Sequence, residues 1–245
     1  MAHGEKKETT LKIGLMESNK CIAKIVGILF ITATVTSSLS IWLTEPIIEA
    51  TNLLQAFSDK SSHVSVAAIL MLVDAISVAF IAIWLFPILK KKSERLALGY
   101  IGMRIMEGVL FAIYVAVLLA VLFISKEYSA SDAQDVSNFN PLAHSFLILA
   151  EWTFDIGLGI VFAISALILN YLLFRFELVP KWLSVWGFLG ALITMTIVLL
   201  KFYDIQLTEA LDFIIGIQEM VFAVWLIAKG FNESAIVSEQ VKTDN

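Results

Sequence analysis

Six long apolar runs dominate this sequence, and they decide which folds the chain can adopt. A helix needs about 20 apolar residues to cross a hydrocarbon core of roughly 30 Å, and every run reaches that length. We therefore predict six spanning helices, at Ile22–Leu43, Val64–Leu89, Leu96–Ile124, Leu142–Phe174, Pro180–Leu200 and Thr208–Ala228. Charged residues make up only 16% of the chain, against about 25% in soluble domains. The class indicated is an integral membrane protein.

The same runs predict an all-α architecture. Backbone groups that face lipid must be hydrogen-bonded internally, and the chain lacks the alternating segments of about ten residues that build a barrel. We expect one six-helix transmembrane domain over 22–229, with an N-terminal tail over 1–21 and a C-terminal tail over 230–245. The polar segment Lys126–Asn140 is predicted to be a loop.

Basic residues are distributed unevenly between the two sides of the predicted bundle. The N-terminal tail with Lys24 at the start of the first helix, the second connection (KKKSER) and the fourth connection (RFELVPK) together hold 11 Lys and Arg residues. The first, third and fifth connections hold only Lys60, Lys126 and Lys201. Lys and Arg are enriched in the cytoplasmic loops of membrane proteins. The alternation therefore predicts that the N- and C-termini are both cytoplasmic.

Six ionisable residues lie inside the predicted spans, where a charge costs roughly 2.5–3.5 kcal/mol at the helix centre. They are Asp74, Arg104, Glu107, Glu151, Asp155 and Glu219. Arg104 and Glu107 are three residues apart on the third helix, so they share one helix face. Glu151 and Asp155 are four residues apart on the fourth helix and share a face in the same way.

These six residues suggest a common site. Asp74 and Glu219 each lie about ten residues from the outer ends of their predicted helices, and Glu107 lies about eleven residues from the inner end of its own, which is near the same level. We therefore expect the second, third, fourth and sixth helices to surround one polar centre, with the first and fifth helices more peripheral. Five carboxylates then face one guanidinium, and Arg104 can neutralise one of them. The other carboxyl groups must be protonated, hydrated or bound to a cation, so protons or a small cation are the predicted ligands of the site.

Two simpler interpretations stay open. Arg104 with Glu107 or Glu219 could be a structural ion pair that fixes the helix register. Glu151 and Asp155 could instead lie near the outer interface, because the fourth run is longer than a bilayer requires, and they would then be hydrated.

The sequence contains no motif for a cofactor or a metal. The HExxH, GxSxG and P-loop patterns are all absent. Cys21 is the single cysteine, which excludes an internal disulfide and a Cys-rich metal site. The net charge is −5 and no basic patch occurs, so nothing indicates a nucleic-acid partner. We expect no cofactor, no metal and no nucleic acid; the lipid bilayer is the expected partner, and protein partners are not specified.

Five motifs carry a family resemblance. They are KIVGILFITATVTSSLS, RIME, EWTFDIGLG, PKWLSVWGFLG and QEMVFAVWLIAKGF, in the first, third, fourth, fifth and sixth helices. Over most of residues 20–231 they resemble bacterial six-helix membrane proteins of the family called domain of unknown function 4386. The resemblance implies a multi-pass protein of the bacterial cytoplasmic (inner) membrane, and it brings no activity with it.

Three functions fit these features. The first is a small transporter or permease-like protein whose buried carboxylates bind protons or a cation. The second is an intramembrane enzyme that uses paired carboxylates for acid–base chemistry on a lipid-like substrate. The third is a non-catalytic sensor, immunity or assembly protein, in which the polar cluster only locks the helices together. We favour the first, a non-enzymatic role, because five acids on four helices exceed what one structural ion pair requires.

Overall fold

In the computed structural model of the protein, the described residues form eight α-helices in an antiparallel bundle. The structure describes residues 2–130, 139–205, 207, 211 and 213–232. Side chains are described from residue 17 onward, except that of residue 213. The helices are α1 (Ala2–Ile48), α2 (Leu53–Asp59), α3 (Ser61–Lys90), α4 (Glu94–Ala130), α5 (Phe139–Asp155), α6 (Ala163–Arg175), α7 (Lys181–Lys201) and α8 (Phe213–Ala228). A π-helical segment, Ile156–Phe162, joins α5 to α6. The described residues include no strand, so the all-α prediction is confirmed.

Two apolar cores, one at each end of the bundle, show that successive long helices run in opposite directions. One core joins the start of α1, the end of α3, the start of α4 and the end of α8 through Ile22, Leu89, Tyr100 and Leu226. The other joins the end of α1, the start of α3 and the end of α4 through Ile47, Val64 and Leu122. The backbone N–H of Asn232 donates to the carbonyl of Leu178 at 2.8 Å, which ties the chain after α8 to the α6–α7 connection.

The outer surface of the bundle is apolar, as a lipid-facing surface must be. In α3, Ile69, Ile76 and Ile83 follow one another at seven-residue intervals, and each is more than half exposed. Within the described residues, five helical units are long and apolar enough to cross a membrane: α1 from Glu17, α3, α4, the continuous unit from α5 to α6, and α7. These helices make the chain an integral membrane protein.

The sixth predicted span corresponds to a shorter helix. α8 has 16 residues, which is roughly 24 Å at 1.5 Å per residue. The predicted start of this span, Thr208, lies outside the described residues. α8 nevertheless packs against α1 and α7 along the bundle, and its end is closed by Gly230, whose φ of 72° is a left-handed conformation that suits glycine at a helix C-terminus.

Connections are more helical than the sequence predicts. The first connection contains α2, which buries Leu53, Leu54 and Phe57 in the core beside α4; this apolar face is the reason that the segment folds. α4 continues to Ala130, so the first five residues of the predicted loop Lys126–Asn140 are helical. Positions 131–138 of that loop lie outside the described residues. α1 begins at Ala2 and runs through the predicted tail.

The π-helical segment lies where three helices approach closely. A Cβ atom at Gly157 would lie 3.2 Å from the ring of Phe111 on α4, and one at Gly159 would overlap the side chain of Val198 on α7. Glycine is therefore required at Gly159 for α7 to pack at its present distance. Single π-helical turns within α-helices occur frequently at functional sites, and this one directly follows Asp155.

Candidate functional site

One face of α4 carries the charged residues into the centre of the bundle. Tyr100, Arg104, Glu107 and Phe111 follow one another at spacings of four, three and four residues, which places them on one side of the helix. All four are buried, and Arg104 and Glu107 are each only 2% exposed. A charge this deeply buried is tolerated only with partners.

The Arg104 guanidinium has a partner at each of its three nitrogens. Nη1 donates to Glu107 Oε1 and Oε2 at 3.2 and 3.3 Å, Nη2 donates to Glu219 Oε1 at 3.4 Å, and Nε donates to the Tyr100 hydroxyl oxygen at 3.2 Å. The ring of Phe162 lies 5.1 Å from Arg104 Cζ and that of Phe30 lies 5.6 Å away. Every nitrogen of the guanidinium is therefore engaged, and both Glu107 and Glu219 are held by Arg104.

Beside this cluster lies a cavity of about 230 Å³, which we call the central cavity. Asp74, Arg104, Glu107 and Glu219 all line it, so the structure brings together four of the six predicted residues. Asp74 and Glu107 meet at the depth that their distances from the helix ends predicted. The wall also includes Thr194 of α7.

Asp74 is the member of this group without a partner. Its side chain is 4% exposed, yet it makes no hydrogen bond or ion pair with any residue that the structure describes. The hydroxyl of Thr194 is also buried and has no hydrogen-bond partner there. With Glu107 and Glu219 shared by one guanidinium, the cavity holds three carboxyl groups against a single fixed cation. Asp74 must therefore be protonated, hydrated or bound to a cation in this cavity.

Glu151 and Asp155 belong to a different cluster at the end of the bundle. The Lys201 Nζ lies 2.6 Å from both Glu151 Oε1 and Asp155 Oδ2, and it joins α7 to α5. The Glu151 side chain is 57% exposed. The expectation of one common centre is therefore wrong for these two residues, because an interaction at the end of the bundle holds them away from Arg104.

The three residues Glu151, Asp155 and Lys201 line a second cavity of about 490 Å³, together with Glu45 and His144; we call it the end cavity. Lys201 was counted in the sequence only as a basic residue of the fifth connection. The signal that could have identified its role is the hairpin formed by the fourth and fifth predicted helices, since antiparallel neighbours place the end of one opposite the start of the other.

A short aromatic wall stands between the two cavities. Phe154 lines both, its ring stacks on that of Phe111 at 5.6 Å, and it lies 5.5 Å from that of Tyr114. Ile41 of α1 also lines both cavities. The end cavity and the central cavity are thus neighbours that share Phe154 and Ile41 in their walls.

α1 is not peripheral, contrary to the expectation from its lack of buried charges. It packs against α3 and α8 and supplies Phe30, Thr34 and Ser38 to the wall of the central cavity. α7 also reaches the cavity, through Thr194. Hydroxyl and aromatic residues carry no formal charge, so a search for ionisable residues alone could not identify these helices as part of the site.

The fold and the site together define a class: a multi-pass helical membrane protein with a buried arginine–glutamate cluster beside a carboxyl-lined cavity. The family model described as "Domain of unknown function (DUF4386)" matches residues 25–230, and the chain belongs to this family. The resemblance carried by the five motifs is thereby confirmed. Neither a curated protein nor a solved structure matches the chain.

Proposed function

We propose that this protein is a small permease-like transporter of the bacterial cytoplasmic membrane, in which Asp74 binds the coupling proton or cation in the central cavity. In this proposal α8 serves as the sixth span and both termini are cytoplasmic. The observation that carries the proposal is the buried and unpartnered carboxyl group of Asp74.

Charge requirements support a ligand at Asp74. An ionised carboxylate without a partner is costly in a buried position, and neither Lys nor Arg elsewhere in the described part of the chain contacts this one. A bound proton removes the charge, and a bound cation balances it. Either ligand can be exchanged, because Asp74 faces a cavity and not a packed core.

The Arg104 cluster supplies an element that can respond to that exchange. Its pair with Glu107 lies within α4, whereas its pair with Glu219 joins α4 to α8 and is the longer contact, at 3.4 Å. A cation at Asp74 changes the field that both glutamates experience. Loss or gain of the Glu219 contact would then alter how α8 is held, which couples ligand binding to helix movement.

The end cavity supports a route to the site. It lies at the end of the bundle, its acidic residues favour cations, and Phe154 lines both it and the central cavity. A change in the Phe154 rotamer would join the two spaces without unfolding any helix. Lys201, held between Glu151 and Asp155, balances part of the negative charge at the entrance.

The two other functions account for less of the site. Paired acid–base chemistry requires carboxyl groups that are free to act on a substrate, but Glu107 and Glu219 are both held by Arg104. A purely structural lock explains the Arg104 contacts and leaves Asp74 buried with no role. Exchange of a proton or cation accounts for Asp74 as well.

The test is the pH and ion dependence of thermal unfolding, measured on purified wild-type protein and on Asp74→Asn. Protonation relieves the cost of a buried carboxylate, so the melting temperature of the wild type should rise as the pH falls through the neutral range. Asn resembles the protonated form and should remove most of that dependence. In proteoliposomes, the same variant should lose flux driven by a pH or cation gradient.

Glu177→Gln is the matched control. Glu177 is an exposed carboxylate on the α6–α7 connection, and its ion pair with Lys181, at 2.8 Å, holds the pKa of Glu177 below its ordinary value. A lowered pKa gives stability that is present above the ordinary pKa and is lost as the pH falls through the lowered one, so near neutrality Glu177→Gln should change the melting temperature by the same small amount at every pH and leave the response to pH unchanged. A wild-type response to pH and cations that is unchanged in Asp74→Asn would refute the proposed function.

A further inference from the structure

The central cavity continues into a groove on the lipid-facing side of the bundle, between α1 and α8. This side groove has a volume of about 610 Å³, and Thr34, Ser38 and Gly216 line both it and the central cavity. α8 provides most of its floor, with Ile217, Met220, Val221 and Val224. From Gly216 to Ala228 the groove follows 13 residues of α8, a rise of roughly 18 Å along the helix.

The opening between the cavity and the groove is lined by hydroxyl groups that have no partner in the described protein. Thr32, Thr36, Ser40 and Thr44 of the same helix each donate to a backbone carbonyl, as hydroxyl groups in membrane helices usually do. Thr34 and Ser38, four residues apart, make no such bond. Their hydroxyl groups are therefore available to a ligand that passes between α1 and α8.

Gly216 keeps the opening wide. Apart from the backbone of its own helix and its chain neighbours, a Cβ atom at this position would have no atom of the described residues within 4 Å, so none of them packs closely on the glycine, in contrast to Gly159. A side chain at position 216 would extend into free space between the cavity and the groove. Met220, one turn further along α8, adds a flexible apolar side chain that can adapt to different chains.

We propose that the transported ligand is an amphiphilic organic cation, whose ammonium group binds at Asp74 in the central cavity and whose alkyl chain lies in the side groove. It would enter from the bilayer between α1 and α8. The inference rests on the proposed function, which makes Asp74 the cation site, and it adds the chemical class of the substrate and its path of entry.

Charge complementarity favours this occupant. The head of the ligand meets three carboxyl groups and one guanidinium that is already engaged, and the unpartnered Thr194 hydroxyl can accept a hydrogen bond from an ammonium N–H. Beyond Thr34 and Ser38 at the opening, the tail meets apolar side chains until Trp225 and Lys229 at the far end of the groove. A phospholipid would place its anionic phosphate at Lys229 and leave Asp74 unpartnered.

The experiment compares octylammonium, butylammonium and uncharged octanol as stabilisers of the protein in nanodiscs of zwitterionic lipid, with empty nanodiscs as the blank. Octylammonium should raise the melting temperature, and its apparent affinity should exceed that of butylammonium by about fourfold for each added methylene. Octanol should have little effect. Asp74→Asn should weaken octylammonium binding by about tenfold or more, the value of a charge-assisted contact.

Gly216→Leu tests the path. Leucine should fill the opening, so octylammonium should bind this variant no more tightly than butylammonium does. Ser38→Leu, on the opposite side of the opening, should have the same effect and covers the case in which the first variant does not fold. Gly102→Leu is the matched control, because Gly102 also has free space around it but lies on α4, outside the groove and the cavity.

The two proposals fail in different ways. If the pH response depends on Asp74 but chain length or Gly216→Leu has no effect on ammonium binding, the amphiphilic cation is wrong and the proposed function stands. If octanol or an anionic phospholipid stabilises as well as octylammonium, the groove is a lipid site and the inference is again overturned. If Asp74→Asn leaves the pH response intact, the proposed function itself fails.

Discussion

Replacing Arg104 with methionine should destabilise this protein more than any change of a surface charge. The guanidinium donates to Glu107, Glu219 and Tyr100, and methionine keeps most of its length without a single donor. Glu107 would then be a carboxylate with 2% exposure and no cation. Breaking a buried pair by removing one partner costs about 3–5 kcal/mol. At about 1.4 kcal/mol for each factor of ten, the unfolding equilibrium should shift by roughly two to three and a half orders of magnitude.

The free energy of unfolding can be measured in mixed micelles with an increasing fraction of a denaturing detergent. The loss in free energy of unfolding caused by Arg104→Met should become smaller as the pH is lowered, because each carboxylate that has lost its cation can bind a proton instead. Combining Arg104→Met with Glu107→Gln and Glu219→Gln should recover most of the loss, since a network with no charge leaves none unpaired. Lys90→Met, which removes an exposed pair with Glu94 at 3.0 Å, should cost less than about 1 kcal/mol.

Two results would refute this reasoning. If Arg104→Met lost as little unfolding free energy as Lys90→Met, water or lipid headgroups would have to solvate the Arg104 cluster, and its charges would not be shielded from solvent. A failure of the triple variant to recover stability would show that the shape of the guanidinium, packed between Phe30 and Phe162, contributes more than its charge.

Three further substitutions test the helix packing at Gly159 and the separation of the central cavity from the end cavity. Gly159→Ala should cost about 1–3 kcal/mol through overlap with Val198, measured by the same unfolding assay, and Val198→Ala in the same chain should restore part of it. Lys201→Met should lower stability by about 1 kcal/mol and less at high salt, because the end cluster is partly exposed; a salt-independent loss would contradict that assignment. Phe154→Ala should join the two cavities and speed the decay of a pH gradient across proteoliposomes, and an unchanged rate would mean that Phe154 is not the barrier.

The residues of the central cavity show how far sequence reasoning reached. Asp74, Arg104, Glu107 and Glu219 were predicted to meet from their depths in three different helices, and they line one cavity. That inference worked because a charge inside a long apolar helix must find a partner or a polar space, whichever helix supplies it. Depth along a helix can be counted in residues, so it is available without coordinates.

Glu151 and Asp155 show where that reasoning stopped. Their positions in the long fourth run were compatible with two locations, the common polar centre or the outer interface, and the sequence left both open. The choice depended on the rotation of α5 and on the end of α7, which brings Lys201 within 2.6 Å of both carboxylates. The rotation of α5 about its axis is set by packing against neighbouring helices. That packing includes the π-helical segment Ile156–Phe162, which no sequence motif predicted.

The sequence by itself determined the class of protein, the all-α fold, the family and the charges that lie within the apolar runs, because hydrophobicity and charge are properties of single residues that add along a helix. The tertiary structure decided which charges pair, which carboxyl group is left over, and where the bundle opens to the side. Those features depend on distances of a few ångströms between helices that are far apart in the chain. Asp74 is therefore recognisable as a buried acid from the sequence, and as an unpartnered one only from the structure.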